Sequence, residues 1–191
     1  MPEFYEGGFC KYQPRAQPYL GAIARGFKES ANARAFLLGD TKFFETYARA
    51  VPLWQEQWQM RDPTNSMLCP FWSNYWYNPC KSCDCRIDKS VSMEIDAMFF
   101  LRNSAARTLA IHIEMKRDAE LLSIGQAEAY RPRAKCYRDQ RRVRKGLPPH
   151  DDFLTVLFCG RGADVSFVEQ HFDRVIFHER ARDVFPGYPV A

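Results

Sequence analysis

The sequence predicts an α/β fold, a mixed central sheet flanked by helices, and three observations carry that prediction. Two apolar-rich runs, SMEIDAMFFL (92–101) and TLAIHIEMK (108–116), are joined by the polar RNSAAR and read as an antiparallel hairpin. A polar and basic stretch from Ser123 to about Lys145 reads as a helix, in which Pro132 must introduce a kink or a break. A nearly uninterrupted apolar run, FLTVLFC (153–159), has the character of a central strand buried on both faces.

The remaining elements follow in chain order. Residues 1–26 hold Pro2, Pro14 and Pro18 with Gly7, Gly8, Gly21 and Gly26, a density of breakers that predicts an arm without long regular structure. From Lys28 to about Gln59 the composition favours two helices. Gly39 and Asp40 form a natural stop and restart between them, and the second carries Phe43, Phe44, Tyr47 and Val51 on one side. Residues 61–90 are rich in Pro, Asn, Cys and aromatics without periodicity, which predicts an irregular insertion that needs its own means of stabilisation. Beyond Gly160 and Gly162, Asp164 or Ser166 can cap a short helix through His171, and RVIFH (174–178) forms a last short strand. The expected organisation is an arm over 1–26 and a single domain over 27–191, interrupted by the insertion 61–90.

A chain of 191 residues, 46% hydrophobic, can bury a sizeable core. No stretch approaches the eighteen or so uncharged apolar residues of a membrane span, and the start lacks an apolar signal region, so a soluble cytoplasmic protein without a membrane partner is expected. The net charge of +4 says little about partners. Seven cysteines, an odd number, argue against a disulfide framework and for thiols or metal ligands.

Strand periodicity then places chemistry. His112, Glu114 and Lys116 share one face, and Ile111, Ile113 and Met115 the other. On the partner strand Glu94, Asp96 and Met98 share a face, so the hairpin brings Asp96 towards Glu114. Two carboxylates that close repel unless a cation lies between them, and hard oxygen ligands suit Mg²⁺ or Mn²⁺. Such an ion polarises a phosphate and activates water, while Lys116 orients that water or neutralises developing charge, so phosphodiester hydrolysis is the chemistry implied. The plainer alternative is a cross-strand pair of Glu114 and Lys116 on the surface, with Asp96 solvated. His112 reads as a packed neighbour rather than a ligand.

These residues resemble the signature of the PD-(D/E)XK nuclease superfamily, the restriction-endonuclease-like fold: Asp96 in MEIDAMF, then Glu114, Met115 and Lys116 in HIEMK. GQAEAY adds Gln126 and Tyr130 at the Gln-x-x-x-Tyr spacing of its RecB-type branch. The resemblance covers roughly residues 40–60 and 90–180 and leaves the arm and the cysteine segment aside. It implies a core of order α-β-β-β-α-β, a metal held by Asp96, Glu114 and the Met115 carbonyl, and a Gln126 that braces the strand end and the substrate backbone. It also implies an acid from the first core helix, for which Glu45 is the candidate and Glu56 the alternative.

Two further features bear on partners. Arg131, Arg133, Lys135, Arg138, Arg141, Arg142, Arg144 and Lys145 follow Gln126 with only Asp139 opposing them, a density that suits a phosphate backbone; with Tyr130 they are the expected nucleic-acid contacts. DNA is favoured over RNA, and cutting both strands of a duplex would favour a homodimer. The plainer alternative is a solvated basic face. Cys69, Cys80, Cys83 and Cys85, spaced C-x10-C-x2-C-x-C, suggest a structural Zn²⁺ on four thiolates, an iron–sulfur cluster being the less favoured occupant and burial as small apolar residues the plain one. Cys10, Cys136 and Cys159 read as ordinary, Cys159 within its strand. A metal-dependent nuclease is therefore the leading expectation, and a zinc-stabilised nucleic-acid-binding protein with an inactive site on the same fold is the alternative.

Overall fold

A computed structural model describes residues 15–60, 71, 76–77, 85, 93–118, 120–122, 125–139, 147–162 and 165–189. In chain order the elements are α1 (Gln17–Glu29), α2 (Ala31–Leu38), α3 (Phe44–Tyr47), β1 (Val51–Pro52), α4 (Trp54–Met60), β2 (Trp76–Tyr77), β3 (Met93–Glu94), β4 (Ala97–Arg102), β5 (Thr108–Met115), α5 (Gln126–Arg138), β6 (Asp152–Cys159), α6 (Val165–His171), β7 (Arg174–Phe177) and α7 (His178–Arg182). The main sheet has five strands in the order β1-β4-β5-β6-β7, and β2 pairs with β3 apart from it. β1, β4 and β5 are antiparallel neighbours, whereas β5, β6 and β7 run parallel, so the open sheet is mixed.

The hairpin forms in the expected register, Ala97 opposite Ile113 and Phe99 opposite Ile111. Alternation along β5 then sends Leu109, Ile111, Ile113 and Met115 into the larger core, shared with α1, α2 and the segment from Ala181 to Tyr188. The other face is covered by α5 and α6, through Ala127, Tyr130, Cys136, Tyr137, Val168 and Phe172. Helices on both faces bury all of β5, which explains its apolar composition.

Three expectations change. Residues 17–29 are not an arm but the helix α1. Pro18 stands in the first turn, where its missing N–H costs nothing, and Gly26 is where the helix meets Phe185: a Cβ there would stand 2.5 Å from the Phe185 ring. At Gly26 a residue that reads as a breaker allows close packing. The second helix expected before Gln59 is broken into α3, β1 and α4, because Val51 and Pro52 pair with the edge of β4. And α5 runs through Pro132 to Arg138 without ending there. Its tyrosines and alanines pack on both sides of the proline, which offsets the roughly 3 kcal/mol a proline costs inside a helix.

The described part of the insertion leans on the main core. Phe71 is fully buried between Phe27 and Phe99 and its carbonyl accepts from the Met98 N–H at 2.8 Å, while Cys85 is buried beside Ile95, Met98 and Cys136. No helix among the described residues is long and apolar enough to cross a membrane.

Candidate active site

The site forms where β5 ends and α5 begins. Glu114, the penultimate residue of β5, points under α5 and is only 1% exposed. Gln126 and Tyr130 are four residues apart on α5 and so share a helical face. Gln126 Nε2 donates to Glu114 Oε1 at 2.7 Å, and the Tyr130 hydroxyl makes a very short bond to Oε2. Lys116 Nζ lies 2.8 Å from Oε1. A carboxylate has about four lone-pair directions, so these donors meet most of the capacity of Glu114 and fix its plane.

Asp96 stands at the bend just before β4, next in register to Glu114. Its Oδ2 accepts the Met115 N–H at 2.7 Å, which ties the carboxylate to the end of β5. Burial alone would depress the basicity of Lys116. The Glu114 carboxylate more than offsets that, with Asp96 and Glu120 adding to it, so the ammonium is held above its ordinary range. Two carboxylates and one ammonium leave one net negative charge. Lys116, 20% exposed against 2% for the Glu114 side chain, is the member of that pair that reaches solvent.

This donor set fits a hard divalent cation of the Mg²⁺ type, which takes one or two carboxylates and completes its shell with water and phosphate oxygens. Asp96 and Glu114 are the residues that would hold it. No group of three or more His, Cys, Asp or Glu side chains placed for a metal occurs among the described residues.

The other expected residues lie elsewhere. Glu45 is exposed on α3, and its neighbour Tyr47 donates to Asp152 Oδ2 at 2.6 Å. Asp152 pairs with Leu109, and from Leu109 to Glu114 the strand advances roughly 16 Å. Glu56 is equally remote, bound to both Arg102 nitrogens at 2.8 and 3.0 Å. Neither supplies a third acid, because β1 sets this segment against the far end of β4. His112 packs against Tyr137 and His150 in the interior.

The basic helix is only partly a surface. Arg133 is 2% exposed, and Arg131 is committed to Asp173 and to the carbonyls of Gln170 and Phe172 at 3.0, 2.7 and 2.5 Å. Arg131 fastens α5 to the turn before β7, and Arg133 lies in the interior. Lys135 is exposed, and Arg138 pairs with Asp139 beside the Phe153 ring. Arg141, Arg142, Arg144 and Lys145 lie outside the described residues, as do Cys10, Cys69, Cys80 and Cys83; Cys159 is buried in β6 as expected.

One pair of residues at this site went unnoticed in the sequence. His178 reaches the main-chain carbonyl of Lys116 and is itself bonded to the Tyr188 hydroxyl, and the only signal was a histidine at the end of the RVIFH strand. No protein family, curated protein or solved structure matches the chain.

Proposed function

We propose that this chain is a metal-dependent nuclease of the PD-(D/E)XK type that hydrolyses phosphodiester bonds of DNA. The observation that carries the reading is the convergence on Glu114: an acid from the neighbouring strand, a lysine two residues on, and the Gln126 and Tyr130 side chains on both its oxygens. A surface pair would not recruit a buried helical clamp, since ordering those groups has to be offset by something. Asp96 and Glu114 would hold a Mg²⁺ or Mn²⁺ ion. When bound, that ion supplies Lewis-acid polarisation of the phosphate and a lowered water pKa. Gln126 and Tyr130 keep the Glu114 carboxylate in one plane, which spares the site from reorganising during reaction. Lys116 carries the positive charge that meets the phosphate as negative charge builds on it. Lys135 and Arg138, with the arginines that follow, suit the flanking backbone, and the four-cysteine segment would hold a structural Zn²⁺ whose Cys85 end is anchored in the core.

A second reading is a nucleic-acid-binding protein on this fold with an inactive site. It is favoured by the fact that Glu114 is already neutralised by Lys116 and almost wholly buried. Incubation with labelled single- and double-stranded DNA and RNA, in Mg²⁺, Mn²⁺ or EDTA, separates the two. Metal-dependent cleavage of DNA that falls at least about a hundredfold in Lys116→Ala and in Asp96→Ala supports the nuclease. Salt-sensitive binding with no cleavage under any condition supports the second reading instead.

A further inference from the structure

We infer that His178, backed by Tyr188, is a positioning residue for Lys116. Lys116 is the first residue beyond β5, so its main-chain groups lie where the strand ladder gives out. Its N–H donates to the Phe158 carbonyl at 2.8 Å. Its own carbonyl accepts from His178 Nε2, also at 2.8 Å. A carbonyl can only accept, so the imidazole carries its proton on Nε2 and its Nδ1 accepts from the Tyr188 hydroxyl at 2.8 Å. Tyr19 and Tyr188 pack their rings against the imidazole, with centroids 5.3 and 5.8 Å away, and hold it in that orientation.

The backbone of Lys116 is thereby held at both its N–H and its carbonyl, which sets the direction in which the side chain leaves the strand. That matters for a lysine. A four-carbon stem loses much rotamer freedom when fixed, so the ammonium is placed only by its contact with Glu114 and by the direction in which the stem leaves the strand. Two supports from opposite faces of the sheet meet at this point. Gln126 and Tyr130 of α5 hold the carboxylate, while His178 at the β7–α7 junction, Tyr188 and Tyr19 of α1 hold the backbone of the amine.

The inference rests on the proposed role of Lys116 towards phosphate, so its test includes a readout that needs no cleavage. The full chain is labelled with ¹⁵N at lysine Nζ, and the Lys116 ammonium signal is identified by its loss in Lys116→Arg. Wild type and His178→Gln, whose amide N–H can still reach the carbonyl, are expected to give a Lys116 signal protected from exchange with water. In His178→Leu that exchange rises at least about tenfold, and kcat of metal-dependent cleavage falls by about ten- to a hundredfold with KM unchanged. His178→Gln restores kcat. A Lys116 signal unchanged in folded His178→Leu, or one that exchanges as fast as the exposed lysines in wild type, overturns the inference whatever the cleavage assay gives. Faster Lys116 exchange in His178→Leu, in a protein that never cleaves, overturns the nuclease reading and leaves the positioning role standing. If His178→Leu fails to fold, Tyr188→Phe decides: faster Lys116 exchange supports the role, and unchanged exchange overturns it.

Discussion

The two ends of the main sheet each carry a glutamate paired with a base, and the pairs are built differently. Glu56 meets Arg102 through two good hydrogen bonds, with both side chains about a third exposed. Glu114 meets Lys116 through one contact, is almost wholly buried, and takes two further bonds from α5. The first pair has the better fork geometry, but water competes for it, and such pairs contribute about 1 kcal/mol or less. The second is enclosed, so each of its members depends on the others. Charge pairing alone therefore does not mark a site; enclosure by several donors on one carboxylate does. A cleft of about 550 Å³ sits at the Glu56 end, between Asp40, Lys42, Phe43, Arg138, Asp152 and Asp173. Its acids face bases already engaged in ion pairs, so size does not identify the chemistry either.

Glu114→Ala strands a half-buried lysine, a tyrosine hydroxyl and an amide, and is expected to cost about 3–5 kcal/mol in urea unfolding and to abolish cleavage. A loss below about 1 kcal/mol would place this pair in the same class as Glu56 and Arg102.

Next in size is the acid response of the dry interior beside Glu114. Burial holds the His112 imidazole down at about 3, with His150 adding to the effect, and burial also lowers His150 and His178. A folded value below the unfolded one near 6.5 means stability is complete above pH 6.5 and declines as pH falls towards about 3. Between pH 6.5 and 5, where carboxylates stay ionised, His112 alone should cost about 2 kcal/mol. The urea midpoint of wild type should fall relative to that of His112→Leu as the pH drops over that range; parallel curves would mean His112 is hydrated.

The smallest effect sharpens the contrast. Glu56→Ala should lower stability by less than about 1 kcal/mol and leave cleavage within about threefold of wild type. A large loss of cleavage there would restore Glu56 as the missing acid.

Much of the site was legible because it rests on short-range geometry. Period-two alternation placed Glu114 under one face and Ile113 on the other, and the hairpin register brought Asp96 beside Glu114. Spacing of four aligned Gln126 with Tyr130. What sequence could not convey was which surfaces meet at long range. Gly26 looks like a breaker until Phe185, far along the chain, is seen against α1. Arg131 and Arg133 look like phosphate ligands until their positions against Asp173 and in the interior are known. Glu45 and Glu56 look suitable until β1 commits them to the far end. His178 contacts Lys116 across a sequence separation of 62, which no local pattern encodes.

The placement of Glu114 in the innermost strand has a consequence for how this protein fails. β5 has a strand on each side and helices over both faces, so its amide hydrogens can exchange with solvent only when the sheet opens as a whole. Fraying at α1, α6 or the sheet edges leaves the Asp96 and Glu114 pairing intact, while any event that releases β5 also unfolds the domain. The groups proposed to react sit on the most enclosed strand of the sheet, so activity and global folding are expected to be lost together in a single transition.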